Sequence, residues 1–180
     1  MVYILLGNGF ETVEALAPAD VLRRGNVPVP LVGASGATVT SAQGVTVAAD
    51  VTLDQVKLAP GDLVMLPGGL GGVDVLEHDE AAMALIRQAA ADPQVWLSAI
   101  CAAPTLLARW GQLEGKQAVC FPGMEDQMKG TLLRPEAKVV EDGDRITGRA
   151  AGSAFDFGLA LVRYLAGADK ADEVRRAVHY

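Results

Sequence analysis

Cys101 stands where the sequence changes character. An apolar run from Val95 to Ile100 leads into it, and Ala102, Ala103 and Pro104 follow before Leu106 and Leu107 begin a helical pattern. A continuous apolar run of that length suits a strand buried on both faces of a parallel sheet. Proline near a helix start gives up only an N–H that has no partner there anyway. The spacing therefore predicts a sharp strand-to-helix turn with a thiol at its apex. This is the layout of a nucleophile elbow, with cysteine in place of serine and without the flanking glycine pair. A thiol facing the first turn of a helix meets unpaired N–H groups and the positive end of the dipole, which lower its pKa below the free value of roughly 8.5. The chemistry to expect is attack by a thiolate, or oxidation of one.

Attack on a carbonyl needs hydrogen-bond donors for the oxyanion and a group that carries a proton. Gly68-Gly69-Leu70-Gly71-Gly72 follows another apolar run. It lacks the Gly-Lys-Ser/Thr ending of a phosphate loop and the spacing of a dinucleotide fingerprint. Taken alone it reads as a flexible strand-to-helix turn. Beside an elbow cysteine its backbone could approach closely, making Gly69 and Ala102 the expected N–H donors. Glu14 is the candidate proton carrier. Its neighbours Val13 and Ala17 place it near the apolar stripe of the first helix, where partial burial would raise its pKa and let it donate to a thiolate. Glu11 reads as an acidic residue favoured by a helix N-terminus. Cys120, before Phe121-Pro122, reads as a buried core residue, with a secondary redox thiol as the alternative. His78 lies in a polar helix entry and His179 near the terminus, so neither is an evident base for Cys101.

The elements that must position these residues alternate. Val2 to Leu6 reads as a strand, and Glu11 to Arg24 as a helix closed by Gly25 and bent at Pro18. Val27 to Val32 reads as a second strand, and Val39 to Ala48 as a hairpin around Gln43-Gly44. Asp62 to Leu66 is a further strand. Glu80 to Ala91 is a helix with Ala82, Leu85, Ile86 and Ala89 on one face, stopped by Asp92-Pro93. Lys116 to Phe121 is another strand candidate, and Asp142-Gly143 looks like the turn of a hairpin. Ser153 is placed to cap a helix that buries Phe157, Leu161, Val162 and Leu165. A last helix runs from Lys170 to Val178. Strands alternating with helices imply a doubly wound α/β sheet with a hairpin excursion, in one domain over residues 1–180. In such sheets ligands sit beyond the carboxyl ends of the strands, which brings forward the loops after Leu6 and Leu66 and the turn at Cys101.

Composition narrows the partners. The chain has 180 residues, 51% of them hydrophobic and 21% charged, with a net charge of −7. An acidic protein is a poor match for nucleic acid or an anionic membrane. The N-terminal run lacks a basic leader and reads as a first strand, and no apolar run approaches the ~20 residues of a membrane span. Two cysteines make neither a disulfide framework nor a metal site, so a reducing, cytoplasmic compartment and no cofactor or metal are expected.

Together these residues resemble the DJ-1/ThiJ/PfpI superfamily, most closely its DJ-1 and YajL-like branch. Ala99-Ile100-Cys101-Ala102-Ala103-Pro104-Thr105 is similar to that family's nucleophile elbow, and Leu66-Pro67-Gly68-Gly69 to its glycine turn. Glu11-Thr12-Val13-Glu14 with Pro18, Asp20 and Arg23-Arg24 resembles its first helix, and Gly152 to Phe157 the loop before its late helix. The resemblance implies a flavodoxin-like sandwich and a homodimer. It makes Cys101 the reactive cysteine and Glu14 its protonated hydrogen-bonding partner, with the N–H groups of Gly69 and Ala102 at the oxyanion. It also implies ready oxidation of the cysteine to a sulfinate. The activities attributed to members are glyoxalase-type conversion of methylglyoxal to lactate, deglycation and protection against thiol stress.

The chain departs from the family pattern at three positions. Phe121 stands where the DJ-1 branch has a histidine before the matching proline. Ala102 stands where the protease-like members have a histidine after their cysteine, and Gln43 where DJ-1 has an arginine. The expected function is protection against oxidative or carbonyl stress through Cys101, acting on a small reactive carbonyl or an oxidant. The alternative is a redox sensor or holdase switched by Cys101 oxidation. A PfpI-type hydrolase is disfavoured because no Cys–His pair is visible.

Overall fold

The computed structural model describes residues 1–180. Eleven strands and six helices follow one another in the chain. They begin with β1 (Val2–Leu6), α1 (Thr12–Arg24), β2 (Leu31–Gly33), β3 (Thr38–Thr40), β4 (Thr46–Ala48) and β5 (Val51–Thr52). Next come β6 (Leu63–Leu66), α2 (Leu70–His78), α3 (Glu80–Ala91), β7 (Trp96–Ile100), α4 (Ala103–Arg109), β8 (Gln117–Ala118) and β9 (Leu132–Leu133). The chain closes with β10 (Val139–Asp142), β11 (Arg145–Gly148), α5 (Ala154–Ala166) and α6 (Ala168–Ala177).

Seven strands form one sheet in the order β10-β11-β7-β6-β1-β2-β5. All its pairings are parallel except β10 with β11 at one edge. Side chains alternate across the sheet, and each face has its own core. Tyr3, Leu5, Val64, Leu66, Leu97 and Ala99 pack with Leu76 of α2, Ile86 of α3 and Leu106 of α4. Val2, Ile4, Leu6, Leu63, Met65 and Ile100 pack with Leu22 of α1, Phe157 of α5 and Val174 of α6. Burying each such aliphatic side chain contributes roughly 1.5–3 kcal/mol, which is why the helices close on both faces. This is the doubly wound sandwich that the alternation of elements predicts. No helix is long and apolar enough to cross a membrane.

Several elements differ from their sequence expectation. The second strand is regular only from Leu31, because Pro28 and Pro30 lend carbonyls to Val2 and Ile4 but have no N–H to return. The glycine run is not a flexible turn: Gly71 and Gly72 lie inside the first turn of α2, and His78 ends that helix instead of entering the next. Asp79 caps α3, accepting from the Ala82 N–H at 2.8 Å. Ser153 does not cap α5. Its hydroxyl is tied to Ala150, donating to the carbonyl at 2.8 Å and accepting from the N–H at 3.1 Å. Only Gln117 and Ala118 of the Lys116 to Phe121 segment form a strand, which pairs with β9 apart from the main sheet. The hairpin around Gln43-Gly44 forms as expected from β3 and β4.

Candidate active site

β1 pairs with β2 on one side and with β6 on the other, so strand order reverses there and a crevice opens beyond the carboxyl ends of the strands. Three loops meet at this end: Gly7 to Glu11 after β1, Pro67 to Gly69 after β6, and the turn at Cys101 after β7. The Glu11 N–H donates to the Gly68 carbonyl at 2.9 Å, which ties the first two loops together. The Cys101 N–H donates to Gly148 at the end of β11 at 2.9 Å, and the Phe121 N–H donates to the Cys101 carbonyl at 2.7 Å.

Cys101 has a φ of 66°, in the left-handed region that a side-chain-bearing residue seldom adopts. The backbone is strained at this position, by roughly 1–3 kcal/mol. The strain turns the chain sharply from strand to helix and leaves the thiol half-buried at the apex. The expected elbow is therefore present in the backbone itself.

α1 carries Glu14 into the same place. Its side chain is only 1% exposed. Oε2 accepts from the Gly68 N–H at 2.9 Å, while Oε1 is buried without a hydrogen bond of its own. The carboxyl lies beside the Cys101 thiol. A Cβ on Gly68 would run into Glu14 Oε2 and come within 2.7 Å of the Cys101 Cβ. Gly68 thus fills the space between carboxyl and thiol, and no larger residue fits there. Gly69 adopts a φ of 86°. Neither its N–H nor that of Ala102 is engaged by another backbone or side-chain oxygen, and the Ala102 N–H is directed at the thiol. Cys101, Glu14, Gly69 and Ala102, singled out from the sequence, are brought together.

The electrostatics differ from the sequence expectation in one respect. Burial raises the Glu14 pKa to about 7, as anticipated, against the lowering by its contacts with Cys101 and Gly68. The Cys101 thiol, however, is pushed up and not down. Burial is the main cause, and the neighbouring Glu14 carboxylate adds repulsion, whereas the Ala102 N–H only partly offsets them. The dipole of the short helix α4 is outweighed by desolvation and by a like charge alongside. Thiol and carboxyl form a pair in which a proton on one makes ionisation of the other easier. Cys120 is buried, its thiol donates to the Phe121 carbonyl at 3.5 Å, and burial raises its pKa to about 11.

A cavity of about 540 Å³ opens over Cys101, lined among others by Glu11, Gly69, Leu70, Ala102, Phe121 and Met124. Phe121 lines the cavity without supplying a base. His78 is bonded within α2 and His179 lies beyond α6, so no imidazole reaches the thiol. Gln43 reaches from the β3–β4 hairpin to the start of α1. Its Nε2 donates to Glu11 Oε2 at 2.8 Å, and its Oε1 accepts from Thr12 Oγ1 at 2.7 Å. Sequence reasoning missed the roles of Leu70 and Met124 in this wall and of Gly68 between Glu14 and Cys101. Only Gly68, inside Pro67-Gly68-Gly69, carried a local signal.

The model of the DJ-1/PfpI family matches residues 1–164. Protein dj-1beta of Drosophila melanogaster is 36% identical over 97% of this chain and 94% of its own. Its crystal structure superposes with a TM-score of 0.92 at 34% identity, covering 98% and 96% of the two chains. The glutathione-independent glyoxalase DJR-1.2 of Caenorhabditis elegans is 31% identical over 91% of this chain and 87% of its own. The sandwich and its mostly parallel sheet thus match the flavodoxin-like architecture of those structures.

Proposed function

The chain belongs to the DJ-1/PfpI family, and from that premise we propose that it disposes of small α-oxoaldehydes by glyoxalase-type chemistry at Cys101. The observation that carries this reading is the buried Glu14 carboxyl beside a half-buried thiol, with the Gly69 and Ala102 N–H groups alongside and neither engaged by another oxygen. A relative of 31% identity that is named a glyoxalase supports it.

The thiol sulfur attacks the aldehyde carbon while its proton passes to Glu14, giving a hemithioacetal whose oxygen the Gly69 and Ala102 N–H groups stabilise. Glu14, with a pKa of about 7, is poised to accept and return protons near neutrality. It moves the proton from the former aldehyde carbon to the adjacent ketone carbon. The first carbon is oxidised to a thioester and the second reduced to an alcohol, so no external oxidant is needed. Water then releases the 2-hydroxy acid and restores the thiol. Deglycation would draw on the same hemithioacetal chemistry. The absence of an imidazole puts the whole proton traffic on Glu14.

Incubation with methylglyoxal and assay for lactate tests this directly. Lactate formed by the wild type and not by Cys101→Ser is the expected result. Absence of lactate, together with ready oxidation of Cys101 to a sulfinate, would favour a redox sensor instead. The same reading places the protein in the cytoplasm as a homodimer. Gln43 brings the hairpin against the start of α1, and the exposed apolar side chains Val13 and Val45 lie on these two elements. Light scattering should give twice the 18.7 kDa chain mass, and a single-chain mass at micromolar concentration would refute the dimer.

A further inference from the structure

The wall of the Cys101 cavity is made by side chains that the chemistry above does not use. Leu70 is 73% exposed and Phe121 44% exposed, both large and apolar at the rim of a concave site. Pro122 and Met124 continue that wall. The volume of about 540 Å³ falls in the range of roughly 300–1,000 Å³ that holds small-molecule ligands, and far exceeds what a three-carbon aldehyde fills. The only charged residue in the lining is Glu11, whose carboxylate is held by Gln43. No lysine or arginine lines the cavity. Arg109 reaches Gln127 at the far rim but is engaged by Glu77 at 2.7 Å.

A carboxylate or phosphate on the substrate would need a cation or a set of donors to replace its water. Here it would meet Glu11 instead. A flat apolar group would lie against Phe121, which gains most from an offset or edge-on aromatic contact. We infer that this cavity selects uncharged carbonyl electrophiles bearing a planar apolar substituent, such as an aryl glyoxal, with Phe121 and Leu70 as the recognising wall and Glu11 as the charge that rejects anions. The inference deepens the carbonyl reading proposed above and rests on it for the nature of the substrate.

Alkylation of Cys101 separates the selectivity of the cavity from turnover. Rate constants with N-benzyl iodoacetamide, iodoacetamide and iodoacetate are measured on the full chain by peptide mass spectrometry. Each is divided by the rate of the same reagent with a small free thiol. The expected order is benzyl amide, then amide, then the anion. Phe121→Ala should reduce the benzyl-to-amide ratio by roughly three- to tenfold. Glu11→Gln should raise the ratio of iodoacetate to iodoacetamide by about fivefold. In parallel, kcat/KM for phenylglyoxal should exceed that for methylglyoxal and for a carboxyphenyl glyoxal. If iodoacetate matches iodoacetamide, or if the benzyl group gives no advantage that Phe121→Ala removes, the inference is overturned. If no glyoxal turns over while the alkylation order and both variant effects hold, the selectivity stands and the glyoxalase reading alone fails.

Discussion

The two cysteines lie on neighbouring segments, joined by the hydrogen bond from the Phe121 N–H to the Cys101 carbonyl, yet their surroundings are opposite. Cys101 is half-buried, in a left-handed backbone, at the floor of a cavity and beside a carboxyl. Cys120 is 3% exposed, has ordinary backbone geometry, and its only partner is a neighbouring carbonyl. Burial raises both thiols. What separates them is therefore not a lowered resting pKa. At Cys101 the proton has somewhere to go, and at Cys120 it does not. On the reading proposed above, the difference in reactivity rests on a proton-accepting neighbour, which α1 supplies, and on an open approach, which the elbow provides.

The largest effect that can test this contrast is removal of each sulfur. Cys101→Ser should bring lactate formation from methylglyoxal to the blank, because a hydroxyl beside the same carboxyl is a far weaker nucleophile. Cys120→Ala should retain wild-type turnover. Loss of activity in the second variant with retention in the first would invert the comparison.

Next in size is Glu14→Gln. The amide keeps a donor toward the sulfur but takes no proton in the working range, so turnover should fall by ~10²–10⁴. It also removes the carboxylate whose charge raises the thiol, so the alkylation midpoint of Cys101 should move down in pH while that of Cys120 stays put. Stability gives an independent readout. The folded protein holds the Glu14 proton to about pH 7, whereas an unfolded glutamate releases it near 4.5. Between those values the native state binds more protons than the unfolded one, so stability must fall as pH rises through the window, by up to roughly 3 kcal/mol. Urea melts of Glu14→Gln should lack this slope. An unchanged slope, with unchanged turnover, would reduce Glu14 to a helix-start carboxylate.

A glycine pair offers a finer test. Gly68→Ala would place a methyl between carboxyl and thiol, where overpacking costs typically 1–3 kcal/mol. Activity should drop with it, because Glu14 and Cys101 are pushed apart. Gly152→Ala, with open space around it and no positive φ, should change stability by less than about 0.5 kcal/mol and leave activity unchanged.

How much of this was legible depends on the range of the determining contacts. β1 and α3 follow from local pattern alone, and their bounds agree with the sequence reading. The elbow was legible because strand, small residues and proline adjoin in sequence. α2 was hidden because Gly71 and Gly72 mask a helical start, and β5 and β9 are two-residue edge pairings with no period to detect. The contact of Glu14 with Gly68 and Cys101 joins three separate βα connections. Only the order of strands in the sheet brings those connections together, and the resemblance to a family had to stand in for it. The direction of the thiol's pKa was misjudged for a related reason. The helix dipole is visible locally, whereas the burial and the like charge that outweigh it come from distant parts of the chain.

The last prediction concerns the strain itself. Cys101 holds a φ of 66°, where glycine sits without steric cost. Cys101→Gly should relieve strain worth roughly 1–3 kcal/mol. It also adds the conformational freedom of glycine to the unfolded chain, a cost of roughly 0.5–1 kcal/mol. The net expectation is a gain of about 1 kcal/mol in a protein that has lost its nucleophile. Cys101→Ser keeps the Cβ and hence the strain, so it should show no such gain. At Cys120 the sign reverses: Cys120→Gly relieves nothing and empties a buried site, so it should destabilise by about 1–3 kcal/mol. Chemical denaturation of the three variants under one buffer reads all three signs. A destabilised Cys101→Gly would mean that the elbow thiol contributes more through packing than its backbone costs, and the division between a strained reactive site and a relaxed structural one would not hold.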